Sequence, residues 1–348
     1  MPRRRRTARS PKSEPVRLAL DLGGTKVVAA LIAPTGRIVQ RGPRVEHGNG
    51  GPEAVIAAVV GAARDLVGGD PLPRGPVGVS VAAQIDPTTG IVVHAPNLRW
   101  RNVPLGRKLE RAFGRPVRLV NDAHAATFAE WTRGAGRGAR DLVCLSLGTG
   151  VGGGVVEDGR LVLGATYAAG EVGHLTLVAG GRKCTCPNRG CLEAYVGGWG
   201  IEERAREAYA LAEESGERFA TVPASAHAVF DAVAGGDPIA RAIVRETEQY
   251  LADGVVGIAN AFNPARIVLG GGLVVGHPQC VRSVAEAVAT RCQPSAASAR
   301  VVVGVFGADA PLVGAGLWAT PARAPSERPS VTLRTRAPRT SRTAAGRR

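Results

Sequence analysis

The sequence repeats one pattern in its two halves, and this repeat restricts the possible fold more than any other feature. Residues 22–39 read LGGTKVVAALIAPTGRIV, and residues 147–162 read LGTGVGGGVVEDGRLV. Each segment predicts a strand that ends in a glycine turn, followed by a second strand, another turn and a third strand. The duplication predicts an α/β protein whose two similar domains face each other across a central cleft.

The glycine turns are the first candidates for function. Each one follows an apolar strand and contains a Gly-Thr pair. Backbone N–H groups in such a turn form a concave surface that binds phosphate oxygens, and glycine lets the ligand come close. Ordinary hairpin turns are the alternative interpretation. A strand rather than a helix follows each turn, which excludes the dinucleotide-binding fingerprint and the P-loop.

The rest of the chain alternates strands and helices. The segment GAGRG at 134–138 interrupts it, so we predict domains over 16–133 and 134–320, with the last helix a candidate to pack back on the first domain. The patterns predict further strands at 77–85, 91–95, 117–122, 265–273 and 301–306, and helices at 52–67, 105–113, 123–131, 199–215, 223–234, 237–262, 278–291 and up to about residue 319.

The positive charge is concentrated at the two ends. Of the net +15, residues 1–15 carry +5 and residues 321–348 carry +7, which leaves +3 for the remainder. Both ends are rich in Arg, Pro, Ser and Thr, so we expect disordered tails. No DNA-binding or RNA-binding motif accompanies them, and specific nucleic-acid binding is not expected. The chain shows no membrane span and no signal-peptide pattern, so we expect a cytoplasmic protein.

A cluster of metal-ligand residues lies in EVGHLTLVAGGRKCTCPNRGCLE, residues 171–193. His174, Cys184, Cys186 and Cys191 form a complete set of one imidazole and three thiolates for a closed, structural zinc site. Buried or disulfide-bonded cysteines are the alternative, but thiols in a cytosolic protein favour metal binding.

Two carboxylates flank this cluster, Glu171 and Glu193. A zinc-bound histidine still offers an N–H at its second ring nitrogen. Two carboxylates and a fixed donor suit the vicinal hydroxyls of a sugar. Solvated surface glutamates are the alternative interpretation.

A further acid follows the apolar strand at 117–122. Asp122 lies where that strand gives way to a helix, the usual position of function in an α/β sheet. Phosphoryl transfer needs positioned phosphates, Mg²⁺ and a carboxylate that takes the hydroxyl proton, and Asp122 suits the last role. A helix N-cap is the alternative for this aspartate. Asp21 ends the first strand and is well placed to orient a magnesium-bound water.

These motifs together resemble the ROK family of sugar kinases. The resemblance rests on DLGGTK, APNL, LVNDAHAA, LSLGTGVGGG, EVGH, CTCPNRGCLE and VLGGGL in this order, and it covers about residues 16–320. It implies a duplicated actin-like (ribonuclease H-like) ATPase fold. The implied activity is ATP-dependent phosphorylation of a hexose at the 6-hydroxyl, above all of glucose.

The resemblance also implies residue roles, with Mg²⁺ and structural Zn²⁺ as cofactors. Asp122 would be the general base. The implied zinc ligands are His174, Cys184, Cys186 and Cys191. The implied sugar-binding set is Asn97, Asn121, Asp122, Glu171, His174 and Glu193. The predicted set for ATP is Asp21, Gly23, Gly24, Thr25, Lys26, Gly148, Thr149, Gly150, Gly271 and Gly272.

Two departures from the family pattern bear on these expectations. Pro187 replaces the glycine of the usual CxCGxxGC motif, and proline restricts the course of that turn. His124 stands where the family's glucokinases often have asparagine, so it is a candidate for sugar choice.

Other functions stay open at this point. One is a kinase for N-acetylmannosamine, N-acetylglucosamine or fructose, and another is a sugar-responsive transcription regulator. Such regulators carry an N-terminal helix-turn-helix, for which the fifteen or so residues before the first strand are too few. Polyphosphate in place of ATP is also open. A homodimer or homotetramer is expected from the family.

Overall fold

A computed structural model describes residues 15–48, 50–216, 218–219 and 222–319. Apart from Pro15, the basic ends predicted as tails lie outside the described residues. Within the described part, no helix is both long and apolar enough to cross a membrane.

The first half is built on a five-stranded sheet of order β3-β2-β1-β4-β8. Strand β1 pairs antiparallel with β2 and parallel with β4. The strands of this half are β1 (Arg17–Leu22), β2 (Lys26–Ile32), β3 (Ile38–Glu46), β4 (Val77–Val81), β5 (Gln84–Asp86), β6 (Ile91–Ala95), β7 (Trp100–Val103) and β8 (Val117–Asn121). The helices are α1 (Gly51–Val67), α2 (Leu105–Phe113) and α3 (Asp122–Arg133).

The second half repeats this topology, with the sheet order β11-β10-β9-β12-β13. Again the first strand pairs antiparallel with the second and parallel with the fourth. The strands are β9 (Leu142–Leu147), β10 (Val151–Glu157), β11 (Arg160–Leu161), β12 (Arg266–Gly270) and β13 (Arg300–Val303). The helices are α4 (Glu193–Val196), α5 (Gly198–Glu214), α6 (Ala226–Ala234), α7 (Pro238–Phe262), α8 (Gly272–Gly276), α9 (Gln279–Arg291) and α10 (Ala310–Trp318).

The repeat seen in the sequence therefore marks a duplicated sheet, and the α/β prediction is confirmed. Some boundaries differ from the prediction. The predicted strand 77–85 divides into β4 and β5, because the chain leaves the sheet after Val81. The predicted strand 265–273 ends at Gly270, since Gly271 has a φ of 90° and α8 begins after it. The sequence did not predict β7, whose Asn102 has a φ of 52°.

The last helix of each half packs on the other half. Helix α10 lies against β1, β2 and β4, whereas α3 lies against β9 and β10, and the two helices contact each other. A buried apolar cluster joins Ala19, Ala30 and Ile32 of the first sheet to Leu312 and Leu317 of α10. The two halves thus share one of their hydrophobic cores.

Glycine makes this close packing possible. A Cβ on Gly78 of β4 would overlap the carbonyl oxygen of Ala315, and one on Gly314 would overlap that of Ala125. Helix backbones therefore rest directly on the opposite sheet and on each other. Small residues at these positions fix the relative placement of the two halves.

Candidate active site

Asp122 is the first residue of α3, and its neighbour Asn121 caps the helix. The Asn121 Oδ1 accepts the N–H of His124 (3.0 Å), and its Nδ2 donates to the carbonyl oxygen of Ala83 (3.2 Å). The N-cap alternative for Asp122 is therefore wrong. Its carboxylate accepts a bond from the N–H of Ala123 (2.9 Å).

Three acidic side chains converge at this helix end. Burial, together with the charges of Asp21 and Glu171, raises the pKa of Asp122 to about 7. Burial also raises the pKa of Asp21, while a hydrogen bond from the Ser80 hydroxyl opposes that shift. Like charges close to a buried carboxyl group disfavour its ionised form, so Asp21 and Glu171 must both lie near Asp122. Acids from both halves thus meet at the cleft.

The first glycine turn joins β1 to β2 beside this group. The N–H of Gly23 donates to the carbonyl oxygen of Lys26 (2.9 Å). A Cβ on Gly24 would lie 2.7 Å from the Cβ of Asn97, so only glycine lets the Asn97 segment approach. Thr25 and Lys26 are exposed, and the Lys26 ammonium lies 4.0 Å from Glu46. The structure therefore brings Asn97 against the turn.

The second glycine turn joins β9 to β10. The carbonyl oxygen of Gly148 accepts the N–H of Gly198 (2.9 Å), and that of Thr149 accepts the N–H of Trp199 (3.1 Å). These bonds tie the turn to the start of α5 through its carbonyl groups. A Cβ on Gly271 would overlap the backbone of Leu147, so the β12–α8 corner lies against the end of β9.

The glycines of β10 bring the two sides of the site together. On one face, a Cβ on Gly152 would lie 2.9 Å from the Cβ of Ala123, next to the proposed base. On the other face, a Cβ on Gly153 would lie 2.8 Å from the carbonyl oxygen of Gly170. Strand β10 is thus a thin spacer between α3 and the segment that leads to Glu171. The sequence indicated these glycines only as part of a turn.

The four predicted metal ligands form one cluster. The ligand atoms of His174, Cys184, Cys186 and Cys191 all lie within 4.8 Å of one another. The Nδ1 of His174 is 3.6 Å from the Sγ of Cys184, and the Sγ atoms of Cys186 and Cys191 are 3.6 Å apart. A disulfide would need about 2.05 Å, which excludes that alternative for this pair.

The two spacings of 3.6 Å match a tetrahedral zinc site. Bonds of about 2.3 Å to sulfur and about 2.0 Å to nitrogen place tetrahedral ligand atoms roughly 3.5–3.8 Å apart. Burial raises the pKa of Cys184 and that of Cys191, the latter to about 12, so a bound cation would be needed to keep both as thiolates. Pro187 does not separate the ligands, since the N–H of Asn188 still points to the Sγ of Cys186 (3.4 Å).

Glu193 links the cysteine cluster to the second turn. It is 8% exposed, and its Oε2 accepts the N–H of Val151 (2.9 Å), the first residue of β10. Its Oε1 accepts from the Thr185 hydroxyl (3.1 Å) and from the Trp199 indole (3.3 Å). The alternative of a solvated surface charge is therefore wrong for Glu193. By contrast, Glu171 is exposed, and its carbonyl oxygen accepts the N–H of His174 (3.0 Å).

His124 lies behind the acids. It is 4% exposed, and its Nε2–H donates to the carbonyl oxygen of Ala169 (2.7 Å). This bond holds the segment before Glu171 against α3. The sequence indicated His124 only as a candidate for sugar choice, and the fold reveals its partner.

Two sheets of one topology, each with a glycine turn at the end of its first strand, define the class of duplicated, actin-like ATPase folds. The chain matches the ROK family over residues 17–322, and it belongs to that family.

Individual relatives support this assignment. A glucokinase of Thermotoga maritima is 36% identical, covering 74% of this chain and 81% of the relative. A solved ROK family glucokinase from Streptomyces griseus, in complex with glucose and AMPPNP, is 29% identical with a TM-score of 0.75, covering 86% of this chain and 98% of its own. A xylose repressor of Bacillus spizizenii is 29% identical, covering 68% of this chain and 59% of the relative. Enzymes and repressors thus share this sequence family.

Proposed function

We propose that this protein transfers the γ-phosphoryl group of ATP to the 6-hydroxyl of a hexose, with glucose as the principal substrate. The observation that carries the proposal is the convergence of Asp122, Asp21 and Glu171 at the cleft, beside a glycine turn. The presence of glucokinases among the relatives supports glucose as the hexose. The protein would work in the cytoplasm, where reducing conditions keep zinc-binding thiols available.

Asp122 acts as the general base in this proposal. A pKa of about 7 lets its carboxylate take a proton near neutral pH and release it afterwards. As the 6-hydroxyl loses its proton to Asp122, its oxygen bonds to the γ-phosphorus, and the bond from that phosphorus to the β-γ bridging oxygen breaks. ADP leaves, and Asp122 later passes the proton to solvent.

The sugar would lie between the two halves. Asn97 and Asn121 would contact hydroxyl groups from the first half, and Glu171, His174 and Glu193 from the second. Glu193 already accepts three hydrogen bonds of 3.3 Å or less, so it would add a sugar contact to an existing network. Its burial suits a fixed acceptor that needs no reorganisation when sugar binds.

The two glycine turns would hold the phosphates of ATP, and Gly271 with Gly272 would lie near the adenosine. Concave backbone turns of this kind present N–H groups to anionic oxygens. Asp21 would hold Mg²⁺ through a bound water, and the metal would neutralise charge on the transferring phosphoryl group. Lys26 is half-exposed and directly follows the first turn. Its ammonium group would leave Glu46 and pair with a phosphate of ATP.

Zinc would hold the segment around His174 rigid. A set of three thiolates and one imidazole closes the coordination sphere, so the metal would not activate water. With Nδ1 turned toward the cysteines, the Nε2–H of His174 is the donor left for a hydroxyl. The predicted homodimer or homotetramer stays a prediction.

The first experiment measures ADP release with glucose, fructose, mannose, N-acetylglucosamine and N-acetylmannosamine, with ATP or polyphosphate as donor. We expect glucose with ATP to give the highest kcat/KM. Turnover confined to an N-acetylhexosamine would overturn the glucose assignment. No turnover, together with sequence-specific DNA binding by the purified chain, would support a regulator instead.

The second experiment tests the base. We expect Asp122→Asn to lose about 10²–10⁴-fold in kcat while it still binds glucose. The matched control is Asp65→Asn, an exposed position on α1 that should keep wild-type turnover. If the Asp122→Asn variant keeps more than about a tenth of the wild-type rate, Asp122 is not the base.

A further inference from the structure

Glu130 is a buried carboxylate that the proposed chemistry does not use. It lies in the last turn of α3 and is 1% exposed. Burying a carboxylate is costly unless its oxygens are hydrogen-bonded. Here Oε2 accepts the N–H of Ala135 (3.0 Å), and Oε1 accepts the N–H of Phe306 (2.8 Å). Each oxygen therefore has a backbone donor.

The two donors belong to two connections: one leads into the second sheet, and the other leads from that sheet to α10, the helix that packs on the first sheet. Ala135 lies in the segment 134–141, which leads from α3 to β9. Phe306 lies in the segment 304–309, which leads from β13 to α10. One side chain therefore holds both connections, although 171 positions separate the donors along the chain.

The surroundings of Glu130 are packed closely enough to keep these bonds in place. A Cβ on Gly304 would lie 2.8 Å from the Oε1, so this part of the second connection touches the carboxylate. The carbonyl oxygen of Glu130 itself accepts the N–H of Gly136 (2.9 Å). Next to it, the indole N–H of Trp131 donates to the carbonyl oxygen of Ala139 (2.9 Å). The first connection is thus bonded to α3 at several points.

We propose that Glu130 is a positioning residue that fixes the angle between the two halves. It lies on the same helix as Asp122, eight residues or about 12 Å along the axis. By bonding both connections to one end of α3, it sets how the base at the other end faces the second glycine turn. The consequence for catalysis rests on the proposed kinase function, but the bond between the connections does not.

Glu130→Gln tests this proposal with little change of shape. The amide keeps one acceptor oxygen and places an NH2 group against one of the two N–H donors, which leaves that donor unpaired. Thr132→Ala is the matched control, since its hydroxyl donates only within α3, to Phe128 (2.6 Å). Both variants change one polar group in the same helical turn.

Two measurements are made on the full chain. Amide hydrogen exchange in the segments 134–139 and 304–309 should become at least about tenfold faster in Glu130→Gln and stay unchanged in Thr132→Ala. In steady-state assays we expect kcat to fall about tenfold while KM for glucose changes less than about threefold. We expect a larger change in kcat than in KM because the angle between the halves affects phosphoryl transfer more than it affects sugar binding.

Two outcomes would overturn the proposal. Unchanged exchange in both segments would show that Glu130 does not hold the connections. Faster exchange with kcat within twofold of wild type would reduce Glu130 to a structural role. If the wild-type protein phosphorylates no sugar, the proposed function fails, while the exchange data still decide whether Glu130 joins the connections.

A second variant covers the case in which Glu130→Gln does not fold. Gly304→Ala pushes on the Oε1 from the second connection, and its Cβ would also lie 3.2 Å from the Cα of Gly270 at the end of β12. We expect faster exchange in 304–309 and a smaller decrease of kcat. Wild-type exchange in that segment would contradict the proposal.

Discussion

At the scale of single residues, the site depends on how Asp122 is surrounded. Its neighbour Asn121 supplies the helix cap, which leaves the Asp122 carboxylate for the cleft. Burial and two nearby acids then raise its pKa to about 7. Asp21 and Glu171, whose charges raise this pKa, are also the residues that would contact Mg²⁺ and the sugar. Their repulsion of Asp122 in the free protein would be offset by these contacts once the ligands bind.

The pH dependence of catalysis follows from this pKa. As the proposed base, Asp122 would work only when ionised, so kcat/KM for glucose should fall as pH decreases through about 7 and level off above it. Steady-state rates between pH 5 and 9 check the prediction. A profile that stays flat down to pH 5 would mean that the carboxyl group ionises normally.

The same shift predicts how stability depends on pH. A carboxyl pKa raised in the folded state means that the folded protein holds the proton more tightly, so Asp122 costs stability as pH rises from about 4 to 7. Asp122→Asn should therefore raise the free energy of unfolding by about 1–3 kcal/mol at pH 8.

That gain should become much smaller near pH 4, where the wild-type carboxyl is protonated in the folded state and about half protonated in the unfolded state. Urea denaturation at the two pH values measures the difference. An equal gain at both would point to a packing effect instead.

At the scale of elements, strand β10 and the cysteine cluster decide how the site is assembled. Strand β10 has glycines at the positions where α3 and the segment 170–173 pack against it. Glu193 bonds the start of β10 to Thr185, which lies between the cluster residues Cys184 and Cys186. Helix α3, the segment 170–173 and the second turn thus meet around one strand.

A small substitution in β10 should therefore have a large effect. A Cβ on Gly154 would overlap the Thr127 side chain, so Gly154→Ala should cost about 1–3 kcal/mol and displace α3. The control is Gly257→Ala on α7, where nothing lies within 4 Å and alanine should stabilise the helix by about 0.5–1 kcal/mol. Thermal unfolding compares both with wild type, and equal effects would refute the packing argument.

The cysteine cluster makes a separate prediction. Purified protein should contain about one zinc per chain, and chelation should lower the thermal midpoint. Cys186→Ser should lose the metal, whereas Cys292→Ser, whose thiol lies outside the cluster against Val256, should keep it. Metal analysis and circular dichroism report this without an activity assay, and a zinc content below about half an equivalent would contradict a structural site.

At the scale of the whole molecule, the two halves exchange their last helices. Because α10 completes the first half and α3 lies on the second sheet, neither half buries its own surface fully. The duplicated sheets are therefore joined by shared packing as well as by two connections.

Shared packing predicts one unfolding transition. Calorimetry should give a single peak whose calorimetric and van't Hoff enthalpies agree, although the chain has two halves. Gly314→Ala, which presses α10 against Ala125, should shift that peak down without splitting it. Two separate transitions in the wild-type protein would show that the halves fold independently.

Much of this could be predicted from the sequence, because the relevant signals are local. Strand–turn–strand periodicity revealed the duplication, and the spacing of His174 and the cysteines revealed a four-ligand cluster. The position of Asp122 after an apolar strand identified the acid at the cleft. Each signal depends on neighbours within about twenty residues, where chain geometry alone limits the possibilities.

Only the tertiary structure decided the rest, because it depends on contacts between distant segments. The sequence offered no reason to pair Glu130 with Phe306, or Glu193 with Val151. The same holds for His124 and Ala169, and for the raised pKa of Asp122. Burial and the approach of charges from another domain are properties of the packed molecule. The local sequence pattern therefore determined which functional groups the chain carries, and tertiary packing determined which partners surround them.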